Sequence, residues 1–188
     1  MQALIEAEQE GRLGGRIAVV ISNRAGAQGL ERARDASIET LIMPHGKHAS
    51  REDYDRALVA ALKARGIALV CLADFMRLIT GVFCDAFPQA ILNIHPSLLP
   101  AFPGPDAQRQ ALEHGVKVTG ATVHLVTPEL DAGPIVMQAP TPVRDDDTVE
   151  SLSARILVVE HQLYPEAVGR LLAGGWRLDG RRVRFDPR

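Results

Sequence analysis

Cysteine is scarce in this chain, with 2 in 188 residues. Cys71 lies in an apolar run and Cys84 among aromatic residues, so both read as buried thiols suited to a reducing compartment. No apolar run approaches the roughly 20 residues that cross a membrane. Glu6, Glu8 and Glu10 stand where a signal peptide needs an apolar core. Charge of one sign is also missing: 21 basic against 23 acidic residues leave a formal charge of −2, which argues against a nucleic-acid partner. No His and Cys spacing resembles a zinc site. Repeats, linkers and low-complexity stretches are absent, and the length suits one domain, 1–188. Hydrophobic residues at 46% exclude disorder and fall short of a membrane protein. The expectation is a cytoplasmic, single-domain protein with small-molecule partners.

Short β-branched runs alternate with amphipathic segments. "RIAVVIS" (16–22), "IETLIMP", "IALVCLA" and "AILNIH" read as strands. "GLERARDAS" reads as a helix. Ser50 with Asp53 resembles a capping box, and Tyr54, Ala57, Leu58, Ala61 and Leu62 recur at helical spacing until Gly66. This alternation predicts an α/β fold, a Rossmann-like, mostly parallel sheet flanked by helices. In the C-terminal half, "VKVTGATVHLVTPELDAGPIVMQAPTPV" predicts an antiparallel pair turning at "TPELDAGP". Val149, Leu152, Ile156, Val159 and Leu163 mark a long helix, which Pro165 should kink or restart. Asp179-Gly180 signals a final hairpin. One more element is lacking. The chain opens inside a helix, with no strand and Gly-rich phosphate loop before it.

The densest signal is "ILNIHPSLLPAFPG", 91–104. Alternate strand residues share a face, so Asn93 and His95 point the same way, at the carboxyl end of a strand where such sheets bind ligands. Prolines 96, 100 and 103 stiffen the loop that follows. An asparagine N–H suits a carbonyl oxygen that gains negative charge, and a histidine moves protons near neutrality. Asp131, in "ELDAGP", is the candidate carboxylate to orient that ring and favour its cation. Asn, His and Asp without serine or cysteine suggest direct transfer at a carbonyl, although each residue alone reads more readily as structural. His124 shares a strand face with Thr122 and divides evenly between core and supporting roles. His45 and His48 read as a solvated loop, and His114 as a cation at a helix end.

"LNIHPSLLPAFPG" followed by "GATVHLVTPELDAGPIV" resembles the formyltransferase family that uses 10-formyltetrahydrofolate. The resemblance runs through "SNRAGAQGLERAR", "SREDYDRAL", "LADFMRLIT" and "VVEHQLYP". The proline after His95 and the "FPG" favour its glycinamide branch. It implies attack by the amine of glycinamide ribonucleotide on the formyl carbon of the folate, in purine biosynthesis, with no metal. By matched position, Asn93 would hold the formyl oxygen, His95 would act as proton donor, and Asp131 would charge His95 and order a water. Met76, Arg77, Leu78 and Ile79 would line the folate site, Arg51 would meet the anionic cofactor, and Glu160 would accept from ribose hydroxyls. Two departures stand out. Gln108 replaces a histidine common in relatives. The family's first strand and phosphate loop are missing: either the start is misassigned and they are expected upstream of Met1, or the chain is truncated. Two alternatives stay open: a formyltetrahydrofolate hydrolase, or a folate-binding remnant without turnover. A monomer and a homodimer are both compatible.

Overall fold

The computed structural model describes residues 1–187. In chain order the elements are α1 (Gln2–Gln9), β1 (Val19–Ser22), α2 (Gln28–Asp35), β2 (Glu39–Ile42), α3 (Arg51–Lys63), β3 (Val70–Cys71), α4 (Gly81–Ala86), β4 (Ile91–His95), α5 (Ala107–Glu113), β5 (Val118–Leu125), β6 (Ile135–Pro142), α6 (Val149–Leu172), β7 (Trp176–Asp179) and β8 (Arg182–Phe185). A single 3-10 turn covers His45–Lys47. The start of α3 is capped as its sequence predicts. Ser50 Oγ accepts from the Asp53 N–H at 3.0 Å and donates to the Asp53 carboxylate at 2.8 Å, which satisfies one of the helix's orphan donors.

Six strands form one sheet in the order β3-β4-β5-β6-β8-β7, and β1-β2 form a separate parallel pair. β3 and β4 run parallel. The antiparallel addition lies where the sequence puts it, with β5 against β4 and β6 against β5. The sheet being in two pieces is a departure from the sequence reading. Val19 and Ile21 of β1 pack on the apolar cluster that holds Val70 of β3 and Ile91 of β4, yet β1 and β3 share no backbone ladder. Both strands are also shorter than their apolar runs. A run of β-branched residues makes a strand only where a neighbour supplies hydrogen bonds, and β1 and β3 each have a neighbour on one side alone.

Helix α6 covers the other half of the core. Leu152, Ile156, Leu163, Ala167, Val168 and Leu171 pack against Ala121, Val123 and Leu125 of β5. The helix continues without a break through Pro165, which is buried within it, so the predicted restart does not occur. Proline removes one helical hydrogen bond, and burial of the flanking apolar face compensates for it. The final hairpin forms, but its turn is Gly180-Arg181, since Asp179 pairs with Arg182.

The cysteines are free and only partly buried by exposure. Burial of the Cys71 sulfur still pushes its thiol up to about 12. Beside it, the Tyr164 hydroxyl of α6 is shared between the Leu72 carbonyl at 2.8 Å and the Leu92 carbonyl at 3.0 Å. It ties α6 to the carboxyl end of β3 and to the start of β4. Tyr164→Phe removes this buried donor while keeping the ring. The expected cost is about 1–2 kcal/mol of unfolding free energy, read from denaturant titration; an unchanged midpoint would show that the hydroxyl ties nothing down.

Candidate active site

Three strand ends bring the polar residues together. Asn93 pairs across the sheet with His124, and His95 with Thr122. Between Val123 and His124 the β5-β6 register shifts, a bulge of the kind that re-aims side chains beside active sites. The turn between β5 and β6 carries Asp131 back over these residues.

The proline-rich loop after β4 is held from below by buried polar groups. Thr122 Oγ1 donates to the Ser97 carbonyl at 2.6 Å and accepts from the Leu99 N–H at 3.0 Å. Gln138 of β6 donates to Thr122 Oγ1 and to the Leu99 carbonyl, at 2.9 and 2.8 Å. Stiffness from proline is therefore only part of what fixes this loop. Its end is strained: Phe102 and Asp106 are non-glycine residues at φ 55 and 58, and Asp131 across from them is at φ 47. Such conformations persist only where the surroundings over-determine them.

His95 is 5% exposed. Its Nε2 lies 2.8 Å from the Phe102 carbonyl, an obligate acceptor, so that nitrogen carries a proton. Nδ1 lies 3.4 Å from Asp131 Oδ2. A ring with both protons presents a donor to each neighbour. Asp131 Oδ2 also accepts from the Gly104 N–H at 2.8 Å.

His124 completes the group. Its Nδ1 faces the Leu125 carbonyl at 3.1 Å and so holds the proton. Nε2 is then a lone pair that accepts from Asn93 Nδ2 at 3.3 Å, 3.7 Å from Asp131 Oδ1. Burial holds the imidazole below its ordinary value, partly offset by the Leu125 carbonyl and the Asp131 carboxylate. Of the two open readings for His124, membership of the polar group is the one realised. Its cross-strand register with Asn93, which the sequence does not display, is what puts it there. Gly133, two residues beyond Asp131, sits so close to the Leu125 carbonyl that a Cβ would lie 1.7 Å from it, so only glycine lets the turn close over His124.

Asn93, His124 and Asp131 line a cavity of about 80 Å³, together with Arg77, Leu78, Ile79 and others. His95 is not among its walls, because both ring nitrogens are engaged behind it. Among the described residues the lining includes no serine or cysteine. The wall from Phe75 to Ile79 is anchored on α3. The buried Asp55 carboxylate accepts from both the N–H and Oγ–H of Thr80 at 2.8 Å, and the Arg77 guanidinium lies 5.1 Å from the centre of the Tyr54 ring. His48 meets the same ring edge-on at 5.3 Å.

The remaining candidates are not in this wall. Met76 is 76% exposed, and Arg51 is exposed at the first turn of α3. Glu160 lies on α6 one turn before Tyr164, half-buried, and burial pushes its carboxyl up to about 7 against the opposing field of the Met1 ammonium. Gln108 belongs to α5 rather than to the loop. A larger cavity of about 550 Å³ opens at the other end of β1 and β2, between Ile5, Glu8, Arg16 and Ile38. It holds none of the convergent groups above. The functional reading follows the smaller one, at the carboxyl ends of the strands.

The chain is similar to known proteins along most of its length. A family model described as formyl transferase matches residues 1–168. The phosphoribosylglycinamide formyltransferase of Escherichia coli is 41% identical over 181 residues, 96% of this chain and 82% of that protein. The human trifunctional purine biosynthetic protein adenosine-3 is 44% identical over 175 residues; the chain spans 17% of its length. The crystal structure of glycinamide ribonucleotide transformylase 1 from Symbiobacterium toebii superposes with a TM-score of 0.96 at 56% identity, covering 98% of this chain and 87% of that one. No helix among the described residues is long and apolar enough to cross a membrane.

The lowered His124 value has a consequence in solution. Its folded ring stays neutral at pH values where an unfolded histidine, near 6.5, takes up a proton. Stability linked to His124 is therefore complete above that range and falls as the medium acidifies. NMR titration of ring protons should place the His124 midpoint below that of a free histidine; a midpoint at or above 6.5 would contradict the burial and tautomer assigned here.

Proposed function

We propose that this chain, a member of the formyl transferase family, transfers the formyl group of 10-formyltetrahydrofolate to the primary amine of glycinamide ribonucleotide, giving the N-formyl product and tetrahydrofolate. The observation that carries the reading is the convergence of Asn93, His124 and Asp131 on one cavity, with His95 Nδ1 3.4 Å from the Asp131 carboxylate behind it and no serine or cysteine in the wall.

The amine attacks the formyl carbon and the carbonyl oxygen becomes an oxyanion. Asn93 has one N–H engaged by His124; its second N–H is available for that oxygen, and a fixed donor in a water-poor site stabilises developing charge strongly. His95 is the proton donor we assign, with Asp131 against its Nδ1. To hand its Nε2 proton to the oxyanion it must leave the Phe102 carbonyl. Catalytic hydrogen bonds of this kind often form only with substrate bound. On collapse the hydroxyl returns that proton to His95 Nε2, the C=O re-forms and the bond to folate N10 breaks. The amine loses one proton and N10 gains one, and a water held by the Asp131 carboxylate is the carrier we assign. The amine attacks the formyl carbon directly, so no covalent enzyme intermediate is needed.

Binding is assigned in the same spirit. A cavity of about 80 Å³ is smaller than a drug-sized ligand requires. It fits the formyl group and its immediate surroundings. The flat pterin ring then needs apolar walls: Ile79 from the lining, and Leu78 and Leu130, which are 50% and 54% exposed at its rim. Accommodating the ring requires the segment of Met76, Arg77, Leu78 and Ile79 to open. Arg51 is assigned to the anionic part of the folate. Glu160 is assigned to the ribose hydroxyls, a role for which its carboxylate form is the acceptor.

The test is turnover with both substrates. His95→Ala should lower kcat at least ~100-fold, the scale for losing a general acid, while a folate analogue still binds in calorimetric titration. Asp131→Asn should also lower kcat with little change in folate affinity. A His95→Ala protein with near-normal kcat would remove His95 from the mechanism.

A further inference from the structure

We infer that Gln110 of α5 is a positioning residue for the Asp131 carboxylate. No substrate touches it in the reading above. Its side chain donates to two loop carbonyls two residues apart, Pro103 at 3.1 Å and Pro105 at 2.9 Å. Both partners are obligate acceptors, so the amide nitrogen must face them and both of its N–H groups are used. The residue between these carbonyls is Gly104. Its N–H is the donor held 2.8 Å from Asp131 Oδ2, the same oxygen that faces His95 Nδ1 at 3.4 Å. Gln110 thus holds the very peptide unit that carries the Gly104 N–H, through the Pro103 carbonyl, and the unit after Pro105, through its carbonyl.

The same helix secures the other side of the histidine. Phe102, whose carbonyl takes the His95 Nε2 proton, stacks on the His114 ring at 5.2 Å. The His114 Nδ1–H donates to the Gln110 carbonyl at 2.9 Å. Residues 102–106 include two strained non-glycine positions, Phe102 and Asp106, and a segment of this kind relaxes unless external bonds hold it. Two neutral proline carbonyls cannot be held by an acceptor. Glutamate at 110 therefore has the right size and the wrong chemistry, whereas an added donor restores the contact.

This inference builds on the formyl-transfer reading for its kinetic arm and on hydrogen exchange for an arm that needs no activity. In Gln110→Glu, and in Gln110→Ala as a second variant without charge, the Gly104 amide should exchange about tenfold faster, as loss of a supporting hydrogen bond allows. In both, kcat should fall about 10- to 100-fold, the effect of a misplacement on the ångström scale, with KM for the folate donor within twofold. Gln110→Lys, which keeps a donor, should recover part of each effect. Circular dichroism identifies the variants that are folded, and either of the first two suffices. Unchanged Gly104 exchange overturns the inference whatever happens to kcat, and faster exchange with unchanged kcat overturns it as well. If the parent protein shows no formyl transfer, the functional reading fails alone, and Gly104 exchange still decides the positioning role.

Discussion

A single imidazole held between two acceptors organises this molecule. His95 is buried, with a backbone carbonyl on one nitrogen and a carboxylate on the other. A buried polar ring without partners is costly, so both partners must be fixed in place, and much of the surrounding fold is devoted to that. The Phe102 carbonyl is presented by a residue in the left-handed region, and Asp131 occupies that region as well. Strain of this kind costs on the order of 1 kcal/mol or more per residue. It is offset by hydrogen bonds from Gly104, Thr122 and Gln138 that leave the loop few alternatives.

The sheet supplies the platform for these bonds. Antiparallel pairing of β4 with β5 puts His124 opposite Asn93 and Thr122 opposite His95. One face of β5 thereby supports the site, while the other face, through Ala121, Val123 and Leu125, packs on α6. Each residue on this strand serves the core or the chemistry by parity alone. α6 then reaches past the core with Tyr164 to the carboxyl end of β3 and to Leu92 of β4, one residue before Asn93. The cavity wall is a separate unit, hung on α3 through Asp55 and Tyr54, and its exposed apolar side chains leave it the readiest part of the site to move.

Asn93 and His95 were legible in the sequence because strand alternation and the prolines after them are local signals. Asp131 could be named as a candidate from its turn, but not placed, since its proximity to His95 depends on how β5 and β6 bring the turn back. His124 was ambiguous for the same reason: a cross-strand register is non-local, and so is the bulge beside it. The break between β1 and β3 was not legible either, because an apolar run states a preference for burial and says nothing of its ladder partner. Pro165 shows a local rule overridden by packing. Gln110 had no signal at all. A glutamine on an amphipathic helix reads as surface, and only the loop folded against it gives its amide two carbonyls to hold.

The central claim is that the formyl group passes directly from folate to the amine in a site built from Asn93, His95 and Asp131. The most direct measurement is a single-turnover experiment with 10-formyltetrahydrofolate labelled at the formyl carbon, enzyme in excess, and glycinamide ribonucleotide present. The account predicts that the label appears in the N-formyl ribonucleotide in step with tetrahydrofolate release, with none bound to protein at any time. Label trapped on the protein would show a covalent intermediate, and label released as formate would show water as the acceptor; either result contradicts the account.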